Sequence, residues 1–172
     1  MKQNTTYKQT ELGLIPEDWE VKKLGEIGKI ITGSTPPTAN LEYYENGTFD
    51  FIGPADLNSN KYIDEAEKKV TINGLNAGRV LKKHSVLVTC IGSTIGKIGI
   101  NKNICITNQQ VNAIETDKNN SDFIYYSILE RNGRLKLIAG EQAVPVLNKT
   151  EFSKFKIPLP PLPQQMKIPD CL

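Results

Sequence analysis

Ser85-Val-Leu-Val-Thr-Cys-Ile91 is the stretch that decides the fold of this chain. Val86, Val88, Thr89 and Ile91 are β-branched, and no residue of the seven is charged. Branched Cβ atoms crowd a helix but pack well on a pleated surface, so the stretch reads as a strand. The same composition recurs at Lys97–Ile100, Ile104–Thr107 and Gln110–Thr116, with Gly, Asn and Lys between the runs. Short apolar runs separated by turn residues predict neighbouring strands.

Towards the N-terminus, strands are expected near Trp19–Lys23 and Lys29–Thr32, with a turn through Gly25–Gly28 between them. Gly33-Ser-Thr-Pro-Pro37 breaks the pattern, and a polar loop runs to Gly47. Phe49–Ile52 is a further strand, closed by Gly53-Pro54, and Thr71 caps a short helix over Ile72–Ala77. Towards the C-terminus, Asn119 or Ser121 caps a helix over about 122–138, with Gly133 weakening it and Gly140 ending it. A short helix near Lys149–Lys154 and a strand at Phe155–Ile157 follow. The sum is one α+β domain whose core is a curved, mainly antiparallel sheet, with a few short helices and one longer helix. Residues 1–11 are expected to be flexible, 12–157 to form the body, and 158–172 to leave it as a strap.

That strap begins in Lys156-Ile-Pro-Leu-Pro-Pro-Leu-Pro-Gln-Gln-Met-Lys-Ile168. Its four prolines fix φ and remove backbone donors, so neither a helix nor a central strand is expected there. Pro158-x-x-Pro161 and Pro160-x-x-Pro163 also fit a polyproline ligand for an aromatic groove, which leaves a protein-interaction module open.

A chain of 172 residues, 38% hydrophobic and 23% charged, can bury a single sizeable core. No run of 18 apolar residues is present, the N-terminus is polar, and Cys90, Cys105 and Cys171 lack CxxC spacing. Free thiols and a cytoplasmic location follow as the simplest expectation. His84 is the only histidine, which leaves few members for a zinc site or a histidine-based triad. The net charge of +2 decides nothing, but basic residues cluster at Lys82-Lys83-His84, at Arg131, Arg134 and Lys136, and at Lys149, Lys154 and Lys156. These fit either a nucleic-acid partner or an ordinary solvated surface.

Gly92-Ser-Thr-Ile-Gly-Lys97 has three residues between its glycines and Ile98 after the lysine, whereas a nucleotide-hydrolysing phosphate loop needs four and a hydroxyl. A tight strand connection, or a loop whose Ser93, Thr94 and Lys97 meet a nucleic-acid phosphate, are the remaining readings. Thr107-Asn-Gln-Gln110 carries amides that pair with adenine or brace strand ends. Arg131, Arg134 and Lys136 reach phosphates or complement a helix dipole. No Asn-Pro-Pro-Tyr or Asp-Pro-Pro-Tyr, no glycine-rich AdoMet loop and no paired-carboxylate spacing is present, so a small enzyme is the weakest reading.

The motifs taken in order resemble a family. Gly13-Leu-Ile-Pro-Glu-Asp-Trp-Glu20, Leu24-Gly-Glu-Ile27, Gly33-Ser-Thr-Pro36, Phe51-Ile-Gly-Pro-Ala-Asp-Leu57, Gly92–Lys97, Thr107–Gln110 and Ile157–Gln165 together resemble a target recognition domain of type I restriction-modification specificity subunits. The resemblance implies a non-catalytic reader of one half of a bipartite double-stranded DNA target. It implies a modification (methyltransferase) subunit as partner, a restriction subunit indirectly, and a second recognition domain or specificity chain. AdoMet and ATP would then belong to the partner subunits, with no cofactor in this chain. Motifs common to readers of different DNA cannot encode the choice of sequence, so Ser93, Thr94, Lys97, Asn108 and Gln109 are expected to be framework with at most phosphate contacts. Base reading is expected from the polar stretches 35–46, 58–61 and 131–142. Candidates there and beside them are Ser34, Thr35, Thr38, Asn40, Asn58, Asn60, Lys61, Arg131, Arg134, Lys136 and Gln142. In the family a long spacer helix follows the strap. Here Pro169 follows Ile168, so a chain cut short of that helix, or a remnant without function, is expected.

Overall fold

The computed structural model describes residues 6–57 and 60–171. Its centre is a five-stranded sheet of β4 (Lys29–Thr32), β6 (Tyr62–Ile63), β8 (Val86–Thr89), β9 (Ile98–Asn101) and β11 (Val111–Glu115). The spatial order is β4-β11-β8-β9-β6, antiparallel throughout except for the β6–β9 pair. A three-stranded sheet of β5 (Phe49–Ile52), β7 (Lys69–Val70) and β10 (Cys105–Thr107) pairs β5 parallel to β10 and antiparallel to β7.

Both faces of the large sheet are covered. Val86, Val88, Ile98, Ile100 and Ile114 pack against α1 (Leu24–Ile27), α3 (Ser121–Glu130), α4 (Asn132–Ala139) and α5 (Lys149–Lys154) through Leu24, Ile124, Ile128, Leu135 and Phe152. On the other face Leu87, Val111 and Ala113 meet Ile52, Leu57, Leu81 and Cys105. A strand buried on both faces has no polar side to present, which is why Ser85–Ile91 lacks polar alternation. Each aliphatic side chain so buried contributes about 1.5–3 kcal/mol. A smaller cluster, Phe51, Val70, Leu75 and Ile106, sits beneath α2 (Ile72–Ala77), which Thr71 caps at Gly74 N and Gly78 ends.

Several expectations need correction. Tyr7–Thr10, placed in a flexible tail, form β1 and pair antiparallel with β2 (Gly13–Pro16), because Gly13, at φ 102°, permits the tight turn between them. Residues 1–5 of that tail lie outside the described residues. Gly25–Gly28 is not an open turn: Leu24–Ile27 make one helical turn, with the Glu26 carboxylate accepting from Lys23 N. Asn120, not Asn119 or Ser121, caps α3 by accepting from Phe123 N at 2.8 Å. The helical region over 122–138 is present in two segments, α3 and α4. Arg131 departs from helical geometry between them, and the Asn132 amide donates to Gly96 O at 2.9 Å. Gly96 has φ 88°, and a Cβ there would lie 1.7 Å from Asn132 Oδ1, so only glycine permits this junction.

The strap differs most. Lys156–Leu159 form β12, paired antiparallel with β3 (Glu20–Lys23), and Leu162–Lys167 form the short helix α6. A two-stranded ribbon has two free edges, so Pro158 can turn its donor-less nitrogen outward, and Pro163 falls in the first helical turn, where a missing N–H costs nothing. Pro158 and Pro160 are buried, so they do not present a free polyproline ligand. Among the described residues no helix is long and apolar enough to cross a membrane.

Candidate nucleic-acid interface

The registers decide where the loops emerge. Thr32 faces Asn112, Thr89 faces Val111, Val88 faces Ile98, and Ile52 faces Thr107. The C-terminal ends of β4, β5, β8 and β10 and the starts of β9 and β11 therefore lie at one end of the molecule. The loops after residues 32, 52, 89 and 107 all open there; we call it the Thr35 end. The opposite end holds Lys82–Ser85 and the N-terminus of α3. There a polar cavity of about 440 Å³ is lined by Lys82, Lys83, His84, Asp117, Leu162 and Met166, among others.

A continuous hydrogen-bond network builds the Thr35 end. Gly33 N donates to Val111 O at 3.0 Å and Ser34 N to Thr107 O at 2.8 Å. A Cβ at Gly33 would fall 2.1 Å from Asn108 O, so this approach also requires glycine. Thr35 Oγ1 donates to Gln109 Oε1 at 2.7 Å. Asn108 Oδ1 accepts from Gln110 N, and its Nδ2 donates to Gln110 Oε1 at 3.1 Å. Lys97 Nζ donates to Pro54 O at 3.2 Å. Gly92 N donates to Pro145 O at 2.9 Å, which lays residues 140–146 beside the 92–97 loop.

Of the sequence-derived candidates, Thr35, Ser93, Gln109 and Gln142 are exposed in these loops, with Ser34, Thr94, Lys97, Asn108 and Arg131 half-buried among them. Thr38 is exposed further along the first loop. Asn108 is a brace for its own turn. Asn40 caps the 3-10 turn at Leu41–Tyr43 by accepting from Glu42 N. Arg134 lines a separate cleft with Leu12, Glu151, Phe155 and Lys156, and Lys136 is exposed on the same helix. Asn58 lies outside the described residues, and Asn60 is exposed.

Lys61 lies elsewhere, over the first turn of α3. Its ammonium pairs with Asp122 at 2.9 Å and sits 4.8 Å from the Tyr62 ring and 5.0 Å from the Tyr126 ring. Tyr62 Oη also donates to Asp122 Oδ1 at 2.5 Å. Burial pushes the Asp122 carboxyl up, but Lys61 and the Tyr62 hydroxyl outweigh it and hold the group below the usual carboxylate range.

Arg79 was not singled out by sequence. It follows the Gly78 that ends α2, and its N–H donates to Ser34 Oγ at 3.0 Å while Nη1 donates to Thr32 O at 2.8 Å. A lone arginine among turn residues gives no signal until the chain reversal sets it against Ser34. Arg79, Lys97 and Arg131 form no ion pair among the described residues. Arg131 Nε and Asn132 Oδ1 are buried with no hydrogen-bond partner among those residues.

The chain belongs to the family described as "Type I restriction modification DNA specificity domain", matched over residues 16–172. It is 34% identical, over 98% of its length, to the type I restriction enzyme MjaIX specificity subunit of Methanocaldococcus jannaschii, and covers 40% of that protein. It is 32% identical over 85% of its length to the HindI specificity subunit of Haemophilus influenzae, covering 33% of it. The fold resembles that of the HsdS subunit from Thermoanaerobacter tengcongensis, with a TM-score of 0.70 at 21% identity, over 91% of this chain and 37% of that one. The chain thus spans well under half of these relatives.

Proposed function

We propose that the chain recognises one half of a bipartite double-stranded DNA target and directs a type I modification and restriction assembly to it, without catalysing a reaction itself. The observation that carries this reading is the convergence of four polar loops at the Thr35 end, with Arg79, Lys97 and Arg131 among them and, among the described residues, no carboxylate paired to any of the three. Cations without acid partners keep their charge available to phosphates, and exposed Thr, Ser and Gln side chains suit base edges. The modification subunit would use AdoMet and the restriction subunit ATP, both in the cytoplasm, while this chain supplies position. Selection from a randomised duplex pool, at low and moderate salt and with or without a modification subunit, tests the reading. Enrichment of a short fixed sequence is expected; if no sequence enriches in either case, the reading fails.

A further inference from the structure

We propose that Arg79 and Gln109 form a sequence-blind clamp on the phosphodiester backbone of the bound duplex, with Thr35 as the residue that positions Gln109. This rests on the DNA-recognition reading above. Both groups present N–H donors. Thr35 Oγ1 donates to Gln109 Oε1 at 2.7 Å, which orients the exposed amide and leaves its NH2 pointing away from Thr35. The exposed guanidinium spends one N–H on Thr32 O and has no other side-chain partner among the described residues, which leaves four N–H donors.

The two donors share one scaffold. Arg79 N is bonded to Ser34, Thr35 is the next residue, and Ser34 N is bonded to Thr107 O, two residues before Gln109. A site rich in N–H donors, one group of them charged, fits an anionic ligand with several acceptor oxygens, which a phosphodiester is. In the major groove guanine offers two acceptors and thymine one, whereas adenine and cytosine each present a donor. An arginine reading guanine must extend into the groove. Arg79 is tied back to the sheet end through the Thr32 carbonyl, which shortens its reach and favours the backbone.

The test uses the whole chain and fluorescence anisotropy with the enriched duplex, a scrambled duplex and inorganic phosphate as competitor, over a salt series. Removing one phosphate contact lowers the slope of log affinity against log salt by about 0.9. R79A should therefore lose the same factor on both duplexes, and that factor should shrink about 3.5-fold between 50 and 200 mM salt. R79K should recover the slope. T35V, which frees the Gln109 amide to rotate, should weaken binding about threefold with the slope unchanged, since a neutral hydrogen bond is lost. All three variants should melt as the parent does.

Each other outcome overturns the clamp. An R79A slope equal to the parent's means no phosphate contact, and a loss confined to sequences with guanine means base reading. Millimolar inorganic phosphate competing as well as the scrambled duplex means a generic anion site. If the parent chain binds no duplex at any salt, alone or with a modification subunit, the recognition reading falls as well, which distinguishes the two failures.

Discussion

Gln165→Leu should destabilise the domain by about 2–4 kcal/mol. Gln165 is 2% exposed, and its amide makes three hydrogen bonds. Nε2 donates to Pro160 O at 2.8 Å and to Asn119 Oδ1 at 3.2 Å, and Oε1 accepts from Asn120 N at 3.0 Å. Leucine fills nearly the same volume and makes none of them. Asn119 is half-buried and can turn to water, whereas Pro160 O loses its partner in a buried site and Asn120 N in a half-buried one. Each buried group left unpaired costs about 1–3 kcal/mol, and the leucine's own burial offsets part of it. For a domain of this size, a loss of about 3 kcal/mol lowers Tm by roughly 6–12 °C. Guanidinium denaturation followed by Trp19 fluorescence measures it, since Trp19 lies against Phe123 and donates to Gln164 Oε1. Gln164→Leu is the comparator: Gln164 is half-buried and bonds Trp19 and the exposed Asp18, so it should cost less than about 1 kcal/mol. A Gln165→Leu midpoint within about 0.5 kcal/mol of the parent, or a costlier Gln164→Leu, would refute the accounting.

Further outcomes follow from the same contacts. Asp122→Asn should weaken the domain at pH 7. Because the folded carboxyl is held below its unfolded value, the parent's advantage is full above about pH 4 and disappears as pH falls through the depressed folded value, which paired melts at pH 3 to 7 will show. Gly96→Ala should cost more than about 2 kcal/mol, through the clash with Asn132 and the positive φ, and should loosen amide protection across α4. Burial pushes the Cys90 and Cys105 thiols up to about 12, whereas Cys171 is exposed. A thiol reagent should therefore titrate one cysteine in the native chain and three in denaturant.

The strands were legible wherever a β-branched run met turn residues, and Thr71, Gly78 and Gly140 marked helix ends as local chemistry requires. The α3–α4 break was not placed, because Asn132 at the junction is held by Gly96, far away in sequence. Pro158 argued against a strand on rules for central strands, and the two-stranded ribbon escapes them. At the candidate site, polar loops were visible but their destinations were not. Lys61 reads as a base contact until Asp122 and two tyrosine rings are placed around it. Arg79 reads as nothing until Ser34 is placed beside it.

The β3–β12 ribbon has a consequence for synthesis. It joins residues 20–23 to 156–159, and Trp19 closes onto Gln164, 145 positions later. Residues 20–23 thus wait for a segment far later in the chain, and a nascent chain that ends before Lys156 has an unpaired β3 edge and an uncovered indole. A chain halted before Lys156 should therefore give protease-sensitive product, while one that carries the segment 156–167 resists.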